Sequence, residues 1–483
     1  MFAPVALAAL IALIWVTYVH PLVHFDIDVF LRAGRAVAAG RDPYPRPGSP
    51  DVYSGFAFVY PYLVAVPFVV FAWLPRAGAE ALFIGLSVLA VLAACRLAGA
   101  RRWSSYALVL AASSTIIGLQ MGTLNAVLFA GLAAVWRVRD RPVAAGGLAA
   151  LLVYSKLFLA PLPLWLLLTG RRRAAAVATG TLGVLFSLGE LVSPVGLATY
   201  GDMLSVLARA EAPAGLSLTG LLMNVGLGLG PATWVARVAA TALIAACWAA
   251  GRTRGTPPPR TPTRWAGDDR LVFAAAVAAA LLASPIVWSH YLLLLAAPLL
   301  VLEGGERNGA LATATVVSWL LVTPHLSTAP DIVASALVLA LLAARPLGDA
   351  VRRTAAQAHG RSVLARFALP ATVVVAPAAA GLELCWALAH AHHGGDAVTG
   401  AYLVTLGLLA LPAWATRRVT VAPYQPHGAT DGDGGDGDGD GDGGDNGNGD
   451  NGNGNGNGDA GDGTNPARRA CTAVGAEPQA DDD

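Results

Sequence analysis

Apolar residues along this chain come in long runs separated by short polar stretches. They fall at about 2–20, 58–75, 79–97, 104–118, 122–136, 142–170, 174–193, 216–229, 231–250, 271–303, 308–323, 331–345, 363–390 and 398–415. The runs do not alternate apolar with polar positions, so they read as helices and not as strands of a membrane barrel. A helix needs about 20 apolar residues to cross about 30 Å of hydrocarbon. Several runs meet that length, and 142–170 and 271–303 are each long enough for a hairpin of two short helices. The pattern predicts an all-α polytopic membrane protein with about 11 to 14 crossings.

Composition supports this. Of the 483 residues 55% are hydrophobic and 13% charged, against about 25% charged in soluble globular domains. The net charge of +1 decides nothing, because arginines gather between runs and aspartates in the tail. Cys95, Cys247 and Cys385 lie in apolar runs and Cys471 in the tail, without CxxC spacing. They read as packing residues; no disulfide framework, metal site, cofactor or nucleic-acid partner is expected. The N-terminal run lacks a basic leader and a small-x-small cleavage site, so it reads as an uncleaved span. From about Pro423 the chain becomes nearly all Gly, Asp and Asn. Such a segment cannot bury a core and reads as a disordered, solvated acidic tail. Its aspartate spacing resembles a calcium loop but lacks the closing glutamate.

Arginine clusters orient the array. Arg137/Arg139/Arg141, Arg171/Arg172/Arg173, Arg252/Arg254/Arg260/Arg264, Arg352/Arg353/Arg361 and Arg417/Arg418 are all expected on the cytoplasmic side. Pro257-Pro-Pro-Arg-Thr-Pro262 is then a stiff cytoplasmic linker (251–270) between an N-terminal block (1–250) and a C-terminal block (271–422). The middle of 142–170, with Lys156, approaches the outer face. One count conflicts. If the first span runs outward, Asp26 lies outside, and three apparent crossings put Gln120 inside. Arg137 read as inside puts Gln120 outside. The two agree only where one run, such as 58–75 or 104–118, does not cross fully.

Polar residues embedded in or beside the runs are few: Asp26 and Asp28, Tyr60-Pro61, Gln120 and Asn125, Lys156 with Pro161, Ser217-Leu-Thr-Gly220, and Ser284-Pro285-Ile-Val-Trp288-Ser-His290-Tyr291. Each has a purely structural reading. The aspartates are solvated loop charges, Gln120 and Asn125 interhelical hydrogen-bonding groups, and Lys156 a snorkelling lysine. Ser284-Pro285 is a kink, His290 a packing histidine, and Trp288 and Tyr291 are interface aromatics. Together they point to an acid–base centre beside an anion site, because a carboxylate takes a proton while Lys or His neutralises a phosphate.

The order of these elements resembles the GT-C glycosyltransferases grouped as family 87, the polyprenol-phosphate-mannose-dependent mannosyltransferases. Asp26-Ile-Asp-Val29-Phe30 with Ala33, Gly40 and Pro43-Tyr44 resembles that family's D-x-x-V-Y…A…G-x-P-Y start. Tyr60-Pro61-Tyr62 resembles its Y-P-P, and Gln120-Met-Gly-Thr-Leu-Asn125 its Q-x-G-Q-x-N. Gly146/Gly147, Lys156 and Pro161 resemble its G…K…P, and Ser217-Leu-Thr-Gly220 its S-L-x-G. Ser284 to Tyr291 resembles its S-P-x-S-W-x-H-H, with Val287 and Tyr291 departing.

The resemblance implies a GT-C-type helical bundle in the plasma membrane with an extracytoplasmic active site. It implies inverting transfer of a hexose, mannose first, from a polyprenyl-phosphate sugar to a glycolipid or glycan acceptor. Asp26 is then the base, with Asp28 in reserve. Lys156 and His290 meet the phosphate, and Gln120, Asn125, Tyr60 and Trp288 contact substrate. The competing readings are a secondary transporter, for which no internal repeat is seen, and a non-catalytic membrane protein.

Overall fold

The computed structural model describes residues 25–46, 49–53, 57–253, 268–304, 308–322, 400–402 and 404–409. The predicted first span, most of the Pro/Arg-rich linker, the runs at 331–345 and 363–390 and the acidic tail lie outside them. Every regular element among the described residues is helical.

Helix α1, Phe25–Ala38, is amphipathic. Ile27, Val29, Phe30, Leu31, Ala33 and Gly34 are buried while Arg32 and Arg35 face outward. Asp26 and Asp28 sit in its first turn, where negative charge suits the positive end of the helix dipole. Around this helix wraps the run predicted at 58–75. It forms two 3₁₀ turns, Tyr62–Val64 and Val66–Trp73, started by Pro61 and Pro67. Phe30 stacks on Phe68 at 4.6 Å and lies 4.9 Å from Tyr60. Gly34 permits the close approach, since a Cβ there would lie 2.5 Å from the Phe68 carbonyl oxygen. The far end of the segment returns to the same place, with Arg76 ion-paired to Asp28. The 58–75 run therefore starts and finishes on the early turns of α1 and does not carry the chain across the bundle.

Helix α2, Arg76–Leu97, makes the first long passage. Helices α3, Trp103–Ala111, and α4, Ser113–Met121, make a return bent by 60°. At the break, hydroxyls replace helix hydrogen bonds. Thr115 Oγ1 donates to the Val109 carbonyl at 2.5 Å, and Ser113 N–H donates to Ser318 Oγ at 3.1 Å. Then follow α5, Asn125–Val138; α6, Pro142–Ser155; α7, Pro161–Leu168; and α8, Arg172–Val192. Helices α6 and α8 run parallel. A Cβ on Gly146 would lie 2.5 Å from Ala174 O at one end, and a Cβ on Gly189 2.7 Å from the Tyr154 hydroxyl at the other. The remainder comprises α9, Leu197–Glu211; α10, Leu218–Asn224; α11, Leu229–Thr253; α12, Asp269–Ala283; a 3₁₀ stretch, Ser289–Leu295; α13, Ala296–Glu303; and α14, Gly309–Val322.

Among the described residues three helices are long and apolar enough to cross a membrane unaided, and the bent α3–α4 pair reaches that length and hydropathy only when its two halves are taken together. Helices α5 and α6 have 14 residues each, which at 1.5 Å per residue reach about 21 Å. The predicted runs 142–170 and 271–303 are broken helices, as their length allowed.

Helix α12, beyond the linker, packs into the same core as the earlier helices. Phe273 lies 5.2 Å from Trp136 and 5.0 Å from Trp165, ring to ring. At that end of the bundle the basic loops gather. Arg171 pairs with Asp269 at 2.5 Å and with Asp140 at 3.0 Å, and Arg139 approaches Asp269 at 3.6 Å. The Arg139 guanidinium lies 4.1 Å above Trp136, and Arg252 4.7 Å above Trp248. Helices α6 and α12 both start here and run to the opposite end.

Candidate active site

At that opposite end α6 stops at Lys156, whose backbone is extended. A 3₁₀ turn, Leu157–Leu159, and Pro161 then send the chain back as α7. Lys156 Nζ donates to the Tyr291 hydroxyl at 2.8 Å. It also lies 4.5 Å from the centre of the Tyr60 ring and 4.4 Å from that of Tyr291. Both rings present negative faces to the ammonium. Among the described residues no carboxylate lies within ion-pair distance of Lys156.

Both tyrosines are held firmly. The Tyr44 hydroxyl donates to the Tyr60 carbonyl at 2.9 Å, and the Tyr200 hydroxyl to the Val59 carbonyl at 3.0 Å. Tyr291 N–H donates to the Trp288 carbonyl at 2.9 Å, and its ring stacks on Phe158 at 5.4 Å. The turn preceding it is built by two of the sequence motifs together. Ser217 Oγ donates to the Pro285 carbonyl at 2.7 Å and accepts from Gly220 N–H at 2.8 Å, while Leu216 N–H donates to the Val287 carbonyl at 2.6 Å. Ser217-Leu-Thr-Gly220 and Ser284-Pro285 thus form one unit that presents His290 and Tyr291.

Asp26 enters from the first turn of α1, partly buried. Desolvation pushes its carboxyl up to about 6, and the positive charge of Lys156 limits the rise. Asp28 is instead engaged by Arg76. His290 is 4% exposed and meets the Tyr291 ring edge-on at 4.9 Å.

Gln120 ends α4 beside the same helix. Gly122 after it adopts a left-handed φ of 69°, and a Cβ there would lie 2.6 Å from Ile27 Cβ. With 58–75 turned back, one passage along α2 and one along α3–α4 separate Asp26 from Gln120. The close approach of Gly122 to Ile27 puts the two at one end of the bundle. Gln120 and Asn125 are buried. Asn125 Nδ2 donates to Thr123 Oγ1 at 3.1 Å, whereas Gln120 Nε2 and Asn125 Oδ1 have no partner among the described residues. A buried amide left unpaired is costly, and these atoms are free to hydrogen-bond a ligand.

The structure therefore brings Asp26, Tyr60, Lys156 and His290 together, with Gln120 and Asn125 flanking. Asp28 is tied elsewhere. Trp288 contributes its carbonyl, while its side chain packs with the apolar cluster around Leu216 and Val287. Three residues escaped the sequence reading as site builders: Tyr291, Tyr44 and Tyr200. The first two lie inside quoted motifs; Tyr200 carries no signal in the sequence. No group of three His, Cys, Asp or Glu among the described residues is placed to hold a metal ion.

An all-helical membrane bundle with a carboxylate and a lysine drawn together at one end has the make-up of a membrane transferase. The family model described as glycosyltransferase family 87 matches residues 58–285. The match covers just under half of the chain and supports a membrane glycosyltransferase. The match takes in Tyr60, Gln120, Asn125 and Lys156; Asp26, Trp288 and His290 lie outside it. No curated protein and no solved structure matches the chain.

Proposed function

We propose that the protein transfers a hexose, mannose first, from a polyprenyl-phosphate sugar to a glycolipid or glycan acceptor, with inversion and with Asp26 as base. One observation carries this reading: the partly buried Asp26 carboxylate lies in the field of Lys156, which among the described residues has no carboxylate within ion-pair distance. Asp26 accepts the acceptor's hydroxyl proton as that oxygen attacks the anomeric carbon. The bond from that carbon to the phosphate oxygen breaks, and polyprenyl phosphate departs with its charge against Lys156 and His290. One base suffices because phosphate is already a good leaving group, unlike the two-carboxylate arrangement of sugar hydrolases. A carboxyl titrating at about 6 stays mostly ionised at neutral pH while being more basic than an exposed aspartate. Gln120 and Asn125 supply hydrogen bonds to sugar hydroxyls. The arginine-rich end is cytoplasmic by the positive-inside rule, so the Asp26 end is extracytoplasmic, in the plasma membrane.

The test uses membranes supplied with polyprenyl-phospho-mannose and a glycolipid acceptor. Wild type transfers mannose with inverted anomeric configuration, and Asp26→Asn loses about 100-fold or more of it at equal expression. Unchanged transfer by Asp26→Asn overturns the base assignment. Transfer from a nucleotide sugar and not from the lipid phosphate overturns the donor.

A further inference from the structure

Lys156 and Tyr291 are 135 positions apart in sequence, yet their polar atoms meet at 2.8 Å. The direction of that hydrogen bond matters. An ammonium has only donors, so the phenol oxygen must accept. The Tyr291 hydroxyl proton is therefore left over, and among the described residues it has no acceptor. A phenol that accepts from a cation is also polarised into a stronger donor than a free one.

The ammonium is similarly placed. One N–H goes to Tyr291, and the charge lies over two aromatic faces at 4.4 and 4.5 Å. Rings stabilise a cation without neutralising it, so a net positive charge remains in a semi-enclosed site. Fixed neighbours also remove the freedom of a four-carbon side chain. Tyr60 is pinned through Tyr44 and Phe30, and Tyr291 through Trp288, Phe158 and His290.

We propose that Tyr291 is a positioning and anion-binding residue. With Tyr60 it clamps Lys156, and its free hydroxyl proton is the second donor to the phosphate monoester or diester that the ammonium holds. This rests on the reading of Lys156 as the phosphate-binding group. The oxyanion receives an N–H from Lys156 and the O–H from Tyr291. Tyr60 lies against the ammonium on its other side, with its ring centre 4.5 Å away.

The test measures binding of farnesyl phosphate to the full-length protein in nanodiscs by tryptophan fluorescence, with farnesol as the uncharged control. Tyr291→Phe keeps the ring and its stacking but loses the hydroxyl. It is expected to weaken farnesyl phosphate binding about tenfold or more, as for a hydrogen bond to a charged group, and to leave farnesol binding unchanged. Tyr291→His, which can both accept from the ammonium and donate onward, recovers part of the loss. Equal weakening of both probes by Tyr291→Phe makes the residue merely structural and overturns the proposal. Wild-type phosphate binding by Tyr291→Phe, with binding lost in Lys156→Gln, overturns the role of Tyr291 and leaves Lys156 standing. Wild-type binding by Lys156→Gln removes the anion site itself, and the role of Tyr291 with it.

Discussion

The two ends of α6 and α12 carry basic side chains in opposite circumstances. At the ends where these helices begin, Arg171 is shared between Asp140 and Asp269, and Arg139 reaches Asp269 as well. Cations there have carboxylates within ion-pair distance, and the pairs tie the loops together. At the ends where they finish, Lys156 has two phenol rings and one hydroxyl for company, with Asp26 acting only through its field. A neutralised cluster is a fastener. A sequestered cation with no counter-ion among the described residues is suited to bind an anion, because rings and a hydroxyl offset its desolvation only in part.

The largest expected effect is at the unneutralised end. Lys156→Gln should lower transfer by about 100- to 1,000-fold, the usual consequence of deleting one group that stabilises developing negative charge. Its melting temperature should hardly fall. Arg171→Ala should do the reverse. It takes the shorter of two cation contacts from the part-buried Asp269, at a cost of about 1–3 kcal/mol in stability, seen as a lower melting temperature in detergent. Transfer per folded molecule should be unchanged; a loss comparable to that of Lys156→Gln would erase the distinction between the two ends. A smaller effect is expected from Gly122→Ala, which meets both the left-handed φ and the contact with Ile27. It should cost about 1–2 kcal/mol and reduce transfer by shifting α4 from α1. Gly147→Ala, where a Cβ would meet nothing, should alter neither stability nor transfer appreciably.

The helical membrane class was legible in the apolar runs, and the family in the order of short polar motifs. Lys156 stood out because a lone lysine inside an apolar run is expensive to leave there. The path of 58–75 was not legible. An apolar count sees a span, whereas Pro61, Pro67 and the cleft over Gly34 turn the segment into 3₁₀ turns around α1. The break at Ala112 had a faint signal in Ser113-Ser-Thr115, whose hydroxyls replace backbone bonds there. Tyr291 looked like an interface aromatic because nothing local reveals what it faces. Its role depends on α6 and α12 ending together, a tertiary fact. Asp26 and Asp28 were ordered by motif position; Arg76, 48 positions from Asp28, distinguishes them by binding one of the two.

The central claim is that Asp26 is the base and works in the field of Lys156, and the pH dependence of transfer tests it most directly. Burial raises the Asp26 carboxyl to about 6 and the Lys156 charge holds it down. Below that pH the carboxyl is protonated and cannot take the acceptor's proton. Wild-type kcat/KM should therefore fall on the acid side with a midpoint near 6, and in Lys156→Gln the residual activity should show that limb moved to higher pH. A limb that stays in place when Lys156 is replaced, or a profile with none in this range, would contradict the account.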